Sequence, residues 1–203
     1  GSSGLENRFV IDGIDTTDPQ IGSSSVPMRA EMMEEIQVKS SGYMAEFGGS
    51  TGGVINAVTR SGGNEFHGAL LVDIADRGWN GDVRPTLETN LDTDEGQLTV
   101  YPEDDETRYD PGIVLSGPII KDRLWFFGSY QPGIENTKRT VDFTNGVTDT
   151  YEQDFTVDYA SVNFTANLGS KVLLKLGANI SPYTTEGLLP GVQGRTTNTA
   201  QSS

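Results

Sequence analysis

The densest set of groups able to do chemistry is the acidic run from Asp82 to Asp110, with Asp92, Asp94, Glu95, Glu103, Asp104, Asp105 and Glu106. Hard carboxylate oxygens in such number could ligate Ca²⁺. Asn90-x-Asp92-x-Asp94 opens like an EF-hand loop, but Glu95 stands where its glycine belongs and Tyr101 where its last glutamate belongs. The run therefore reads as a solvated acidic loop. Gly48-Gly49-Ser50-Thr51-Gly52-Gly53 could cradle a phosphate on backbone N–H groups, yet it has no lysine and leads into a strand instead of a helix. Trp125, Phe126, Phe127 and Tyr130 could stack a ligand, and equally fit an aromatic belt at a membrane boundary. The single histidine, His67, and the absence of cysteine leave no thiol nucleophile, no thiolate metal site and no multi-histidine site. With no paired carboxylates and no Ser/His/Asp set in view, the expectation is no enzyme, no catalytic residues, no cofactor and no resident metal.

These groups sit in a chain of 203 residues with 14 basic and 29 acidic side chains, a net charge of −15. Such a balance argues against nucleic acid as a partner. At 34% hydrophobic and 21% charged, the composition can build a core, and 25 glycines favour strands and turns over helices. No apolar run approaches the ~18 residues of a membrane-spanning helix. The N-terminus lacks the basic and apolar regions of a signal peptide, and Gly1-Ser2-Ser3-Gly4 reads as a cloning scar or as the inside of a longer protein.

The elements that must position these residues follow from the periodicity. Asn7 to Ile11 reads as a strand closed by Asp12-Gly13, a pair that tolerates positive φ. Pro27 with Met28, Met32 and Met33 predicts about two turns of helix near 27–33. Ile36 and Val38 set a strand over 35–40, and Val54 to Thr59 another. From Asn64 onward longer alternating strands are expected near 64–76, 110–116, 123–131, 155–168 and 171–181, five in all, with a long acidic loop at 77–109. The last two join through a two-residue turn, Gly169-Ser170, and place Val162, Phe164, Leu174 and Leu176 on one face. Ser161, Asn163 and Thr165 fall on the other. Apolar side chains alternating with small polar ones over ten residues are what a transmembrane β-barrel requires. Five strands cannot close one, and open edges are costly in lipid.

Asn7-Arg8-Phe9-Val10-Ile11-Asp12-Gly13 with Thr16-Thr17-Asp18-Pro19, then Glu34-Glu35-Ile36-Gln37-Val38-Lys39, and the run from Tyr43 through Thr51-Gly52-Gly53-Val54-Ile55-Asn56-Ala57-Val58-Thr59-Arg60 to Gly68, resemble TonB-dependent outer-membrane receptors of the Oar-like (OmpA-related) branch. Ser116-Gly117-Pro118-Ile119-Ile120-Lys121-Asp122-Arg123-Leu124-Trp125-Phe126-Phe127 resembles the second and third barrel strands of that branch. The resemblance spans about residues 5–182 and implies a fragment. Residues 1–63 would be the C-terminal part of an α+β plug domain, and 64–203 the first strands, about five, of an incomplete transmembrane β-barrel in a fold that is mainly β. The whole family fold is a plugged barrel of about 22 strands.

The resemblance further implies uptake of a scarce extracellular solute across the outer membrane of a Gram-negative bacterium. Outer-membrane lipid would surround the strands, and energy would be relayed by the TonB complex through an N-terminal segment missing from this chain. Asp15 and Asp18 would lie in a plug loop facing substrate. Asn163, turned toward a wet lumen, would tolerate alanine, whereas arginine at Leu174 would be costly. A secreted or surface-exposed β-rich adhesive or calcium-binding module is the alternative, and it accounts for the acidity and the strands alone.

Overall fold

The computed structural model describes residues 7–39, 52–89, 95–100, 103–143, 146–169, 171–191 and 199–200. It is mainly β and divides into two compact units. The first comprises Gly1–Leu71, Gly112–Gln131 and Asp158–Pro182; the second comprises Val72–Pro111, Pro132–Val157 and Tyr183–Ser203. The 29 acidic residues split 11 to 18 between them and the 14 basic ones 8 to 6, so the acidity belongs to the second unit.

The first unit begins with a four-stranded sheet. Its strands are β1 (Arg8–Ile11), β2 (Ile14–Asp15), β3 (Met33–Lys39) and β4 (Val54–Thr59), in the order β2-β1-β4-β3. β1 runs parallel to β4, while β1–β2 and β3–β4 are antiparallel. Asp12 and Gly13 take φ of 50° and 81° in the β1–β2 turn, as their pairing predicts. Val10, Met32, Val54 and Ala57 are buried, and the ladder puts Val10 and Val54 on one face of the sheet and Ala57 on the other.

The helix expected near 27–33 does not form: among the described residues of this region the one helical element is a 3₁₀ turn, Ala30–Met32. Met33 is already paired with Thr59 in the β3–β4 ladder, and Arg60 N–H donates to Met32 O at 3.0 Å. One turn of helix fixes several dihedrals for a single hydrogen bond, and a free edge on β4 outcompetes it. The α part of the expected α+β unit is thereby corrected to a mixed β-sheet. Residue 40 and the run 41–51, which carries most of the glycine-rich motif, lie outside the described residues.

The larger sheet has seven strands. β5 (His67–Asp76), β8 (Asp105–Ile120), β9 (Leu124–Phe143), β10 (Thr148–Asn167) and β11 (Leu173–Ile180) follow the order β11-β10-β9-β8-β5. β12 (Tyr183–Gly187) pairs with β10 beyond β11, and β13 (Thr199–Ala200) pairs with β9. Between β5 and β8 the strands β6 (Thr86–Thr89) and β7 (Gly96–Thr99) form a hairpin of their own. The sheet is open, with β11 and β5 at its ends.

Three expected boundaries change. The strand placed at 110–116 runs from Asp105 to Ile120, straight through Gly117-Pro118, because proline's fixed φ is compatible with extended backbone where its missing N–H is not needed. The strand placed at 123–131 continues to Phe143, and the one placed at 155–168 starts at Thr148. The β10–β11 link is also longer than the expected two residues: the ladder ends at the pair Asn167–Leu173, and beyond it Leu168 N–H donates to Val172 O at 2.9 Å. That difference decides the faces. A two-residue link would set Phe164 opposite Lys175, whereas the observed register sets Phe164 opposite Leu176 and Ala166 opposite Leu174.

In the second unit several of the acidic groups have cationic partners. Arg139 clamps Asp104 with Nη2 to Oδ2 at 2.6 Å and donates through Nη1 to Pro190 O at 2.9 Å. Arg77 meets Glu103 at 2.7 Å, and Arg108 meets Asp110 at 2.8 Å. The segment 77–109 contains β6, β7 and the start of β8, and its described residues are largely exposed. The EF-hand-like start, Asn90 to Asp94, falls outside the described residues. Among the described residues no group of three or more His, Asp or Glu is placed to hold a metal.

Candidate functional site

The site lies in the first unit, on the two faces of β10 and β11. Side chains alternate across a strand, so residues 161, 163 and 165 share one face, and 160, 162, 164 and 166 share the other. The first set is polar and enclosed: Ser161 is 3%, Asn163 7% and Thr165 7% exposed. The second is apolar and bare, with Phe164 39%, Leu174 54% and Leu176 68% exposed. Leu70, Val72 and Ile74 on β5 and Ile113 and Leu115 on β8 are exposed as well. On β9, Phe127, Ser129 and Gln131 are buried, whereas Tyr130 and Ile134 are exposed. This settles the orientation of the aromatic strand, whose alternation alone leaves both faces possible. On β10 the arrangement reverses that of a water-soluble sheet, where apolar residues go in and polar ones out.

The polar face is covered by the N-terminal sheet. Asn163 Nδ2 donates to Thr59 Oγ1 at 3.1 Å and to Arg60 O at 2.8 Å, across more than 100 residues of sequence. Thr59 in turn donates its hydroxyl to Asp12 Oδ2 and its backbone N–H to Asp12 Oδ1 at 3.0 Å. A Cβ on Gly177, the residue opposite Asn163 on β11, would collide with Asn163 Oδ1. Two residues before Ser161 on the same face, Tyr159 takes the Arg29 guanidinium over its ring, 4.5 Å from the centroid. Beside this joint is a cleft of about 340 Å³ whose walls include Asp12, Thr59, Asn163, Lys175 and Asn179.

The connector from this sheet to β5 is pinned in turn. Gly62 crosses the Phe126 backbone so closely that a Cβ would collide with the Phe126 carbonyl. Asn64 then accepts from Trp125 Nε1 at 2.7 Å and from Asp122 N–H at 2.9 Å, and donates to Asp122 Oδ1 at 2.6 Å.

Asp15 ends β2, where its carboxylate accepts from Arg8 Nε at 2.9 Å and from Thr17 Oγ1 and N–H at 2.7 and 3.0 Å. The Thr17 hydrogen bonds, and behind them the Arg8 charge, hold its carboxyl below the usual aspartate range. Asp18 caps the next turn by accepting from Gln20 N–H at 2.8 Å. Both carboxylates thus serve the turn that carries them, and neither lines the cleft beside Asn163. His67 is exposed on β5. Sequence reading missed the Asp12–Thr59–Asn163 chain, and the expectation that Asn163 tolerates alanine is corrected: its amide makes two enclosed hydrogen bonds. The available signal was a carboxamide flanked by apolar neighbours and facing a glycine across the hairpin, which is informative only once the register is known.

Over 165 residues the chain is 39% identical to the TonB-dependent transporter Oar of Myxococcus xanthus. The match takes in 77% of this chain and 15% of that transporter. It supports the TonB-dependent receptor family. No protein-family model and no solved structure matches the chain. Among the described residues no helix is long and apolar enough to cross a membrane.

Proposed function

We propose that this chain is a piece of a TonB-dependent receptor of the Oar-like branch in the outer membrane of a Gram-negative bacterium, and that it is not an enzyme. In this reading β5, β8, β9, β10 and β11 are wall strands of a barrel whose remaining strands take the open edges of β5 and β11, and the sheet β1–β4 belongs to the plug. The receptor imports a scarce extracellular solute, using energy that the TonB complex delivers to a segment N-terminal to this chain. The absent helix removes one support for the plug, and the reading rests instead on the similarity to Oar and on the sheet's hold on the polar face of β10.

The observation that carries the proposal is the inversion on β10, with Val162 and Phe164 exposed and Ser161, Asn163 and Thr165 enclosed, beside the exposed apolar row of β11 that its ladder sets against Phe164. Lipid-facing strands of a barrel need apolar side chains out and tolerate polar ones in. Spin labels at successive positions 173 to 178, in the protein carrying this chain reconstituted in phospholipid vesicles, test it. Labels at 174, 176 and 178 should collide with dissolved oxygen and be shielded from a water-soluble nickel chelate, while those at 173, 175 and 177 should not follow that pattern. Equal access of the chelate to 174, 176 and 178 refutes the proposal.

A further inference from the structure

We propose that Asn163 is a releasable latch: its carboxamide fastens the N-terminal sheet to β10, and breaking that one side chain's contacts lets the sheet part from the strand as an intact body. The inference deepens the receptor reading and rests on it for the use of the motion.

The fastening at Asn163 is polar, whereas the sheet is held by backbone ladders. Within the sheet, β4 is laddered to β3 from Val54 to Thr59 and to β1 from Val54 to Ala57. The hold on β10 includes two hydrogen bonds from Asn163 and the stacking of Arg29 on Tyr159. Hydrogen bonds of this kind exchange with water at small net cost, whereas a buried apolar seam would not.

The latch is also set in advance. Thr59 has one hydroxyl hydrogen, and giving it to Asp12 leaves the Thr59 oxygen free to accept from Asn163. Asp12 is held in place by the β1–β2 turn it belongs to, with its N–H on Ala57 O at 2.9 Å. On the other side Gly177 leaves the space that the Asn163 carboxamide occupies. A receptor for the amide on the sheet and a slot for it on the wall thus meet at one residue.

Amide hydrogen exchange in the protein carrying this chain, in detergent micelles, tests the latch. Asn163→Leu removes both donors, and Gly177→Ala displaces the amide without altering it. In each, the amides of residues 59–63 should exchange about tenfold faster or more. The β1–β4 and β10–β11 ladder amides should keep their wild-type rates. Asn163→Asp should release the same segment at neutral pH and re-close it in acid, because a protonated carboxyl can again donate to Arg60 O; Asn163→Leu should show no such recovery. Unchanged exchange at 59–63 in the first two variants overturns the proposal. So does loosening of the β10–β11 ladder in step with 59–63, which would make Asn163 a general structural residue. Labels at 174 and 176 in the same samples separate the two readings. A failed latch with lipid exposure intact refutes the latch alone, and lost lipid exposure refutes the receptor reading.

Discussion

Arginine at Leu176 distinguishes a lipid-facing sheet from one that faces water. The outward residues of β11 are Leu174, Leu176, Ala178 and Ile180, preceded by Val172, and those of β10 run from Ala160 to Leu168. Phe164 and Leu176 stand opposite each other at the middle of both rows. A charged side chain at the midplane of a barrel wall costs about 2–4 kcal/mol, falling to about 0–1 near the interfaces. In folding equilibrium that is a loss of roughly 30- to 700-fold at Leu176. Val172 and Ile180, at the two ends of the row, should lose little. Were this face bathed in water, an exposed leucine replaced by arginine would shift stability by no more than about 0.5 kcal/mol at any of the three positions. Reversible guanidinium unfolding from phospholipid vesicles of the protein carrying this chain, followed by tryptophan emission, measures all three. A peaked profile centred on Leu176 is expected. A flat one, with each substitution inside about 0.5 kcal/mol, refutes the assignment of this face to lipid.

Two further outcomes follow from local geometry. Asn64→Ala should cost about 1–2 kcal/mol and move Trp125 emission to longer wavelength, since three hydrogen bonds to the 122–125 turn are lost; unchanged emission would show that the pin is idle. Asp15 has a lowered carboxyl pKa in the fold, so its contribution to the β1–β2 turn is complete above the free aspartate range near pH 4 and fades as acid protonates the folded form. Protection of the Phe9 amide, which donates to Thr17, taken relative to the free-peptide exchange rate at each pH, should therefore fall as pH drops through that lower value, and Asp15→Asn should abolish that acid-dependent loss of protection.

The parts of the fold legible in the sequence are those where side chains report their environment. Val162 to Leu168 and Leu174 to Ile180 alternate cleanly, apolar on one face and small or polar on the other, and Asp12-Gly13 announces its turn because few pairs accept positive φ twice. Beyond the apolar row the signal fades. The second half of β9, Glu135-Asn136-Thr137-Lys138-Arg139-Thr140, has no hydrophobic period and is extended because its backbone is laddered to neighbours far along the chain. Met28, Met32 and Met33 have helical spacing, but the spacing records which side chains meet a core and leaves open whether one turn of helix or a strand start brings them there. The candidate site was less legible still. Asp15 and Asp18 stand out as carboxylates in a polar loop and prove to brace that loop, while Asn163 works through a partner 104 residues away.

The connector between the N-terminal sheet and β5 limits how far any separation can go. Asn163 holds its start at Arg60, and Asn64 holds its end at the 122–125 turn. If the first fastening opens and the second stays shut, the sheet remains on a leash of four residue steps. Fully extended at ~3.3–3.6 Å per residue, that leash is about 14 Å long. The trailing edge of the sheet could then swing clear by little more than the distance between two packed β-layers, and would hang within reach of its own seat. Return would be a search over a few cubic nanometres, with no need to rebuild the ladder of β4.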